Sequence, residues 1–134
     1  MAGPETKRVV LVVEDDDDIR EVVCELLADE GYEVLCVASV EEARGVIGST
    51  PPDVMLLDLN IKGAEERGTD LLASLDGERL SGPPTILISA ARDAPEVART
   101  YGIMHLRKPF DLEQLLEALK TAIERDLRPH GSPT

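Results

Sequence analysis

Residues 53–58, DVMLLD, place four consecutive apolar side chains between two carboxylates. An apolar run of this length without alternation is typical of a strand that is covered on both faces, as in the middle of a parallel sheet. Two further runs share this character, at 9–13 and at 86–88. We therefore predict three central parallel strands, one of which leads directly into Asp58.

Helical segments alternate with these strands. After the first strand, apolar residues recur at helical spacing from Ile19 to Leu27, and Gly31 then provides a stop signal. The remaining predicted elements are a strand at 32–38, a helix at 40–47 capped by Ser39, helices at 69–75 and 94–101, a strand at 103–106 and a last helix from Leu112 to Ile123. This alternation predicts an α/β fold, a doubly wound five-stranded parallel sheet in the flavodoxin-like order 2-1-3-4-5 with helices on both faces.

The composition excludes several classes of protein. The chain has 134 residues, enough for one domain, which we place at 7–126 with flexible termini at 1–6 and 127–134. A net charge of −13, from 27 acids and 14 bases, argues against direct nucleic-acid binding. No apolar run approaches the roughly 20 residues that a membrane-spanning helix needs, so we expect no membrane role.

The two cysteines, Cys24 and Cys36, lie within apolar segments and lack the spacing of a metal site or a disulfide framework. Residues 1–7 lack the apolar centre of a signal peptide. We therefore expect reduced thiols and a cytoplasmic protein.

Polar side chains follow the predicted strands at the carboxyl edge of the sheet, where open α/β folds bind their ligands. Glu14 and Asp15 follow the first strand, Asp58 ends the third, Ser89 ends the fourth and Lys108 follows the fifth. Gathered carboxylates are most simply explained by a hard divalent cation, and Mg²⁺ suits oxygen ligands that share it with a phosphoryl group. The sequence predicts that Asp58 attacks phosphorus while Lys108 and the metal neutralise charge.

Four motifs at these positions resemble those of response regulator receiver domains. They are VVEDD at 12–16, DVMLLDLN at 53–60, ISA at 88–90 and KPF at 108–110. The resemblance covers about residues 7–126. It implies that Asp58 accepts a phosphoryl group from a sensor histidine kinase or a phosphotransfer protein, and that the phosphorylated domain acts on a downstream protein target or as a homodimer.

The resemblance also implies roles for the surrounding residues. The implied Mg²⁺ ligands are Glu14, Asp15, Asp58 and the main-chain carbonyl of Asn60. Ser89 and Lys108 are implied to contact the phosphoryl group, and the Lys108–Pro109 peptide bond is implied to be cis. His105 stands where many receivers carry a Tyr or Phe that rotates inward on phosphorylation, so it is a candidate switch residue, with a structural histidine as the alternative.

The sequence departs from the family pattern in two places. Lys62 stands where the family usually has a proline and Gly68 arrives about two residues late, so we expect a longer and more mobile loop at 61–69. The spacing from Ser89 to Lys108 is about three residues short, which predicts a trimmed fourth helix or preceding loop. That helix belongs to a face that many receivers use for dimerisation or output, so the partner geometry is expected to differ.

Three other functions remain open on the sequence. An atypical receiver would act as a phosphorylation-independent interaction module. A phosphatase of the haloacid dehalogenase type also uses a strand-end Asp, but its nucleophile follows the first strand and its second Asp has no counterpart after Asp58. A flavodoxin-like cofactor carrier would be expected to place aromatic rings against its flavin, and this chain has two Tyr, one Phe and no Trp. The favoured reading is a switch that turns over no external substrate.

Overall fold

The structure, a computed structural model, describes residues 7–59, 68–77 and 82–125. Across these residues strands and helices alternate in five βα units. The strands are β1 (Val9–Val13), β2 (Glu33–Val37), β3 (Val54–Asp58), β4 (Thr85–Ser89) and β5 (Met104–Arg107). The helices are α1 (Asp17–Asp29), α2 (Val40–Ser49), α3 (Gly68–Gly77), α4 (Ala94–Tyr101) and α5 (Leu112–Arg125).

All five strands pair in parallel in the order β2-β1-β3-β4-β5, which confirms the predicted doubly wound topology. The register sets the carboxyl edge of the sheet, because Val13 lies beside Leu57 and Asp58 lies beside Ile88. The residues that immediately follow β1 therefore stand next to the last residue of β3.

The central strands are buried on both faces, which is why their sequences are apolar without alternation. On one face, Leu11, Met55 and Leu87 pack in a cluster with residues of α2, α3 and α4. On the other, Val10, Leu56 and Ile86, for example, pack in a second cluster with residues of α1 and α5. Every residue of β3 and β4 is buried.

Side-chain caps fix where the first two helices begin. The Asp16 carboxylate accepts a hydrogen bond from the Ile19 N–H at 3.0 Å, so the acidic run forms the start of α1. The Ser39 hydroxyl accepts from the Glu42 N–H at 3.2 Å, and the Glu42 carboxylate accepts from the Ala38 N–H at 2.8 Å. This arrangement is a variant of the capping box in which the glutamate bonds to the residue before the N-cap, and it confirms the predicted Ser39 cap.

The prediction of two reduced cysteines was wrong. Cys24 of α1 and Cys36 of β2 form a disulfide, with their Cα atoms 6.7 Å apart. The sequence offered no paired-cysteine motif, because the twelve-residue separation spans the end of a helix, a turn and half a strand. The pairing follows from the packing of α1 against β2, which is a tertiary contact.

Several sequence predictions fall outside the described residues. These are the flexible termini, Asn60 with its carbonyl ligand, and residues 61–67 of the predicted long loop. Over the part of the chain that is described, no helix combines the length and the apolar character needed to cross a bilayer.

Candidate functional site

The carboxyl edge of the sheet brings together five of the predicted site residues. Glu14, Asp15, Asp58, Ser89 and Lys108 line one cavity of about 510 Å³. They come from the ends of β1, β3 and β4 and from the turn after β5, so four separate segments of the chain build the site. This is the position at which strand order reverses and open α/β sheets hold their ligands.

Three acids form the floor of this cavity. Ligand oxygens of Glu14, Asp15 and Asp58 all lie within 4.8 Å of one another. Glu14 is 1% exposed and Asp58 is 6% exposed, whereas Asp15 is half-buried. Hard oxygen donors that converge in this way, with an open side toward solvent, fit a Mg²⁺ ion that keeps some of its waters. The residues present therefore fit the metal that the sequence predicts.

Lys108 bridges the two buried acids of the cluster. Its Nζ donates to Glu14 Oε1 at 2.9 Å and to Asp58 Oδ2 at 3.2 Å. Burial by itself lowers the pKa of Lys108, but the hydrogen bond to Glu14 and the negative charges of Asp58 and Glu14 leave the pKa raised. The lysine is therefore a fixed cation at the centre of the site. The Lys108–Pro109 bond that leads away from it is cis, as the resemblance to receiver domains implied.

Glu14 holds a proton unusually tightly for a carboxyl group. Burial, followed by the hydrogen bond with Asp58, raises its pKa to about 7, and Lys108 offsets only part of this rise. Two carboxylates that share a buried site resist simultaneous ionisation. A bound divalent cation would reverse this preference, because it favours the ionised form of every ligand.

Ser89, the last residue of β4, contacts His105 within the neighbouring strand β5. The Ser89 hydroxyl is buried and accepts a hydrogen bond from the Ala91 N–H at 2.9 Å, which leaves its own proton free to be donated toward the cavity. The His105 ring Nε2 lies 3.1 Å from the Ser89 main-chain carbonyl. His105 is half-buried and does not line the acid cavity, so it is placed behind the site rather than in it.

Two residues at the site were missed by the sequence reasoning. Arg20 donates from its guanidinium to the Glu14 main-chain carbonyl at 2.9 Å and forms an ion pair with Asp17. The available signal was the i, i+3 spacing of Asp17 and Arg20 on α1. Gly68 lies so close to β3 that a Cβ atom there would be 2.6 Å from the Asp58 carbonyl oxygen. The sequence marked Gly68 only by its late position.

Comparison with known proteins gives one family. The sequence model of the response regulator receiver domain matches residues 10–120. Among curated relatives, the transcriptional regulatory protein PdtaR of Mycobacterium tuberculosis is 32% identical over 133 residues, covering 93% of this chain and 64% of its own. A putative NtrX-like response regulator of Rickettsia bellii is 29% identical over 118 residues, covering 86% of this chain and 24% of its own. The chain thus spans between about a quarter and two thirds of the length of these relatives.

Solved structures agree with the fold. The receiver domain of NtrX from Brucella abortus superposes with a TM-score of 0.78 at 28% identity, covering 86% of this chain and 98% of that one. The chemotaxis protein CheY4 of Vibrio cholerae superposes with a TM-score of 0.75 at 25% identity, covering 87% of this chain and 99% of that one. Both matches cover nearly the whole of the compared domain.

Proposed function

Because the chain belongs to the response regulator receiver family of two-component signalling, we propose that it is a phosphoacceptor switch in which Asp58 takes a phosphoryl group from a histidine kinase or a phosphotransfer protein. The observation that carries this proposal is the position of Asp58 at the end of β3, within 4.8 Å of two further acids and 3.2 Å from the Lys108 amine. We place the switching unit at residues 7–126.

The proposed transfer uses Asp58 as the nucleophile. One carboxylate oxygen forms a bond to phosphorus while the bond from phosphorus to the donor imidazole nitrogen breaks, and the electron pair of that bond stays on the imidazole. Lys108 holds positive charge beside the incoming phosphoryl oxygens, and the Ser89 hydroxyl donates to one of them. Mg²⁺, held by Glu14, Asp15, Asp58 and the Asn60 carbonyl, supplies further neutralisation of the phosphoryl oxygens when it is bound.

The transferred group acts as a signal rather than as a step toward a product. Phosphorylation replaces the single negative charge of the Asp58 carboxylate with a phosphoryl group that carries about two, and Ser89 and Lys108 are the groups placed to interact with its oxygens. A shift of Ser89 would pass to His105, whose ring contacts the Ser89 carbonyl. We therefore propose a protein without external turnover, whose phosphorylation alters its contacts with a downstream protein target or with a second copy of itself.

An apolar groove beside the site supports a protein as the phosphoryl donor. It measures about 620 Å³ and runs between α1 and the turn that precedes α5. Its rim carries three exposed apolar side chains of α1: Ile19 is 38% exposed, Val22 54% and Leu26 37%. The groove shares Ala90 and Lys108 with the acid cavity, so an amphipathic helix of the donor seated there would hold its histidine over Asp58. A histidine kinase takes its own phosphoryl group from ATP, which supports a cytoplasmic location for the proposed transfer.

Intact-mass spectrometry after incubation with acetyl phosphate and Mg²⁺ tests the chemistry. We expect one phosphoryl adduct on the wild type, none on Asp58→Asn and none in the presence of EDTA. Asp18→Asn, which removes an exposed acid outside the cluster, is the matched control and should be labelled as the wild type is. An unlabelled wild type, with its fold intact by circular dichroism, would instead favour a phosphorylation-independent interaction module.

A further inference from the structure

The disulfide joins the edge of the sheet to the helix that borders the site. Among the strands that the structure describes, β2 is at the edge of the sheet and pairs with β1 alone. Its residues are exposed or half-buried, in contrast to the fully buried β3 and β4. A strand with one partner and a small buried area is held weakly. A covalent link from Cys36 in this strand to Cys24 in α1 therefore stabilises the least anchored edge.

The sulfur pair is accessible from solvent. Cys36 is exposed and Cys24 is half-buried, and both line a surface depression with Asp17, Arg20 and Glu21 of α1. Thiol–disulfide exchange requires a small thiolate to reach one sulfur atom along the S–S direction, and exposed pairs meet this requirement in the folded state. The Cα separation of 6.7 Å lies within the range of natural disulfides, so the bond can form without a large movement of the backbone.

The pair also lies close to the acid cavity along the chain. Arg20 is four residues before Cys24 on α1, so the two side chains stand on the same side of the helix, one turn apart. Arg20 donates to the main-chain carbonyl of Glu14 at 2.9 Å. The face of α1 that the disulfide fixes is therefore the face that holds the segment after β1.

From this arrangement we propose that Cys24 and Cys36 form a reversible thiol–disulfide site, oxidised by a low-molecular-weight disulfide and reduced by a dithiol, that tethers α1 to β2. In the oxidation, the Cys36 thiolate attacks the small disulfide and releases one small thiol. The Cys24 thiolate then attacks the Cys36 sulfur of the mixed disulfide and releases the second. The two cysteines lose two protons and two electrons, and the small disulfide gains them as two thiols. A dithiol reverses both exchanges.

Thiol alkylation of the native full chain tests the chemistry of the site. The protein is incubated without denaturant in glutathione disulfide or in dithiothreitol, quenched with acid, unfolded, alkylated and weighed. We expect no alkyl group after oxidation and two after reduction. Cys24→Ser should instead trap glutathione on Cys36 as a mixed disulfide. Two alkyl groups after oxidation, a pair that exchanges only in denaturant, or a disulfide between two chains would overturn the proposal.

Thermal unfolding tests the tether. Closing a loop of this size restricts the unfolded chain, so we expect the oxidised wild type to melt on the order of 10 °C above the reduced wild type. The double variant Cys24→Ser with Cys36→Ser should melt at the same temperature in both buffers. Equal melting temperatures for the oxidised and reduced wild type would exclude a tether, even if the bond forms.

Discussion

Lys108 lies across the acid site, with its Nζ 2.9 Å from Glu14 Oε1, although the two residues are 94 positions apart in the sequence. The Glu14 side chain is 2% exposed and that of Lys108 is 24% exposed, so the pair stands at the boundary between the core and the cavity. The lysine stabilises a buried acid that would otherwise lack a positive partner among the described residues around it.

The stability of the metal-free protein should fall as pH rises from about 4.5 to about 7. The pKa of Glu14 is raised from 4.5 to about 7, so the folded state keeps a proton that the unfolded state has lost. The stabilising contribution is complete below pH 4.5 and is lost as pH passes through 7, by up to about 3 kcal/mol. Urea unfolding in EDTA measures it, and Glu14→Gln should remove this part of the slope. If the free energy of unfolding of Glu14→Gln fell between pH 5 and pH 7 as steeply as that of the wild type, the assignment to Glu14 would be contradicted.

Mg²⁺ affinity should rise with pH up to about 7 and then level off. If Glu14 is a ligand, as proposed, the metal binds its ionised form. Binding below pH 7 then releases close to one proton, and affinity changes by nearly tenfold per pH unit there. Isothermal titration calorimetry in two buffers of different ionisation enthalpy counts the protons released. Proton release that is the same at pH 5.5 and pH 8.5 would show that Glu14 is not a ligand.

Gly68→Ala should impair the site by displacing the main chain that carries Asp58. A Cβ at Gly68 would lie 2.6 Å from the Asp58 carbonyl oxygen and 3.2 Å from Leu59 Cα, both of which are main-chain atoms that cannot rotate away. We expect a loss of about 1–3 kcal/mol in unfolding free energy and slower labelling of Asp58 by acetyl phosphate. Gly45→Ala is the matched control, because the residue lies inside α2 and its added Cβ would have no neighbour within 4 Å beyond the backbone of its own helix. That variant should gain about 0.5–1 kcal/mol and label normally.

Val22→Glu should slow phosphoryl transfer to Asp58 from a protein donor but not from a small-molecule donor. A charge in the centre of the apolar rim would be desolvated by a docked helix, so transfer from a histidine kinase active on the wild type should fall at least tenfold. Labelling by acetyl phosphate should stay unchanged, since this donor needs no groove. Ala28→Glu, on the exposed side of the same helix and outside the groove, serves as the control. An equal loss with both donors would mean that Val22 supports the site rather than docking.

The sequence was sufficient for the fold because parallel strands covered on both faces leave continuous apolar runs, and the order of motifs at their ends assigns the carboxyl edge. The five clustered site residues followed from that edge alone. The hydrogen bond from Arg20 to the Glu14 carbonyl could not be predicted in this way, because it depends on how α1 is oriented relative to β1. The Cys24–Cys36 pair was predicted wrongly for the same reason, because nothing local reports that a helix packs on the neighbouring edge strand. Asn60 and the loop that follows it remain predictions.

The two faces of the sheet carry different surfaces of the proposed switch. The groove lies with α1 and α5, whereas His105 pairs in register with Leu87, whose side chain packs among the residues of α2, α3 and α4. If the donor seats in the groove and His105 reports phosphorylation, as proposed, the second side stays uncovered and a downstream protein could bind there before the donor leaves. The donor and the downstream protein would then be bound at the same time, in a complex of three proteins. The rate of signalling would not be limited by one partner having to leave a surface before the next can bind.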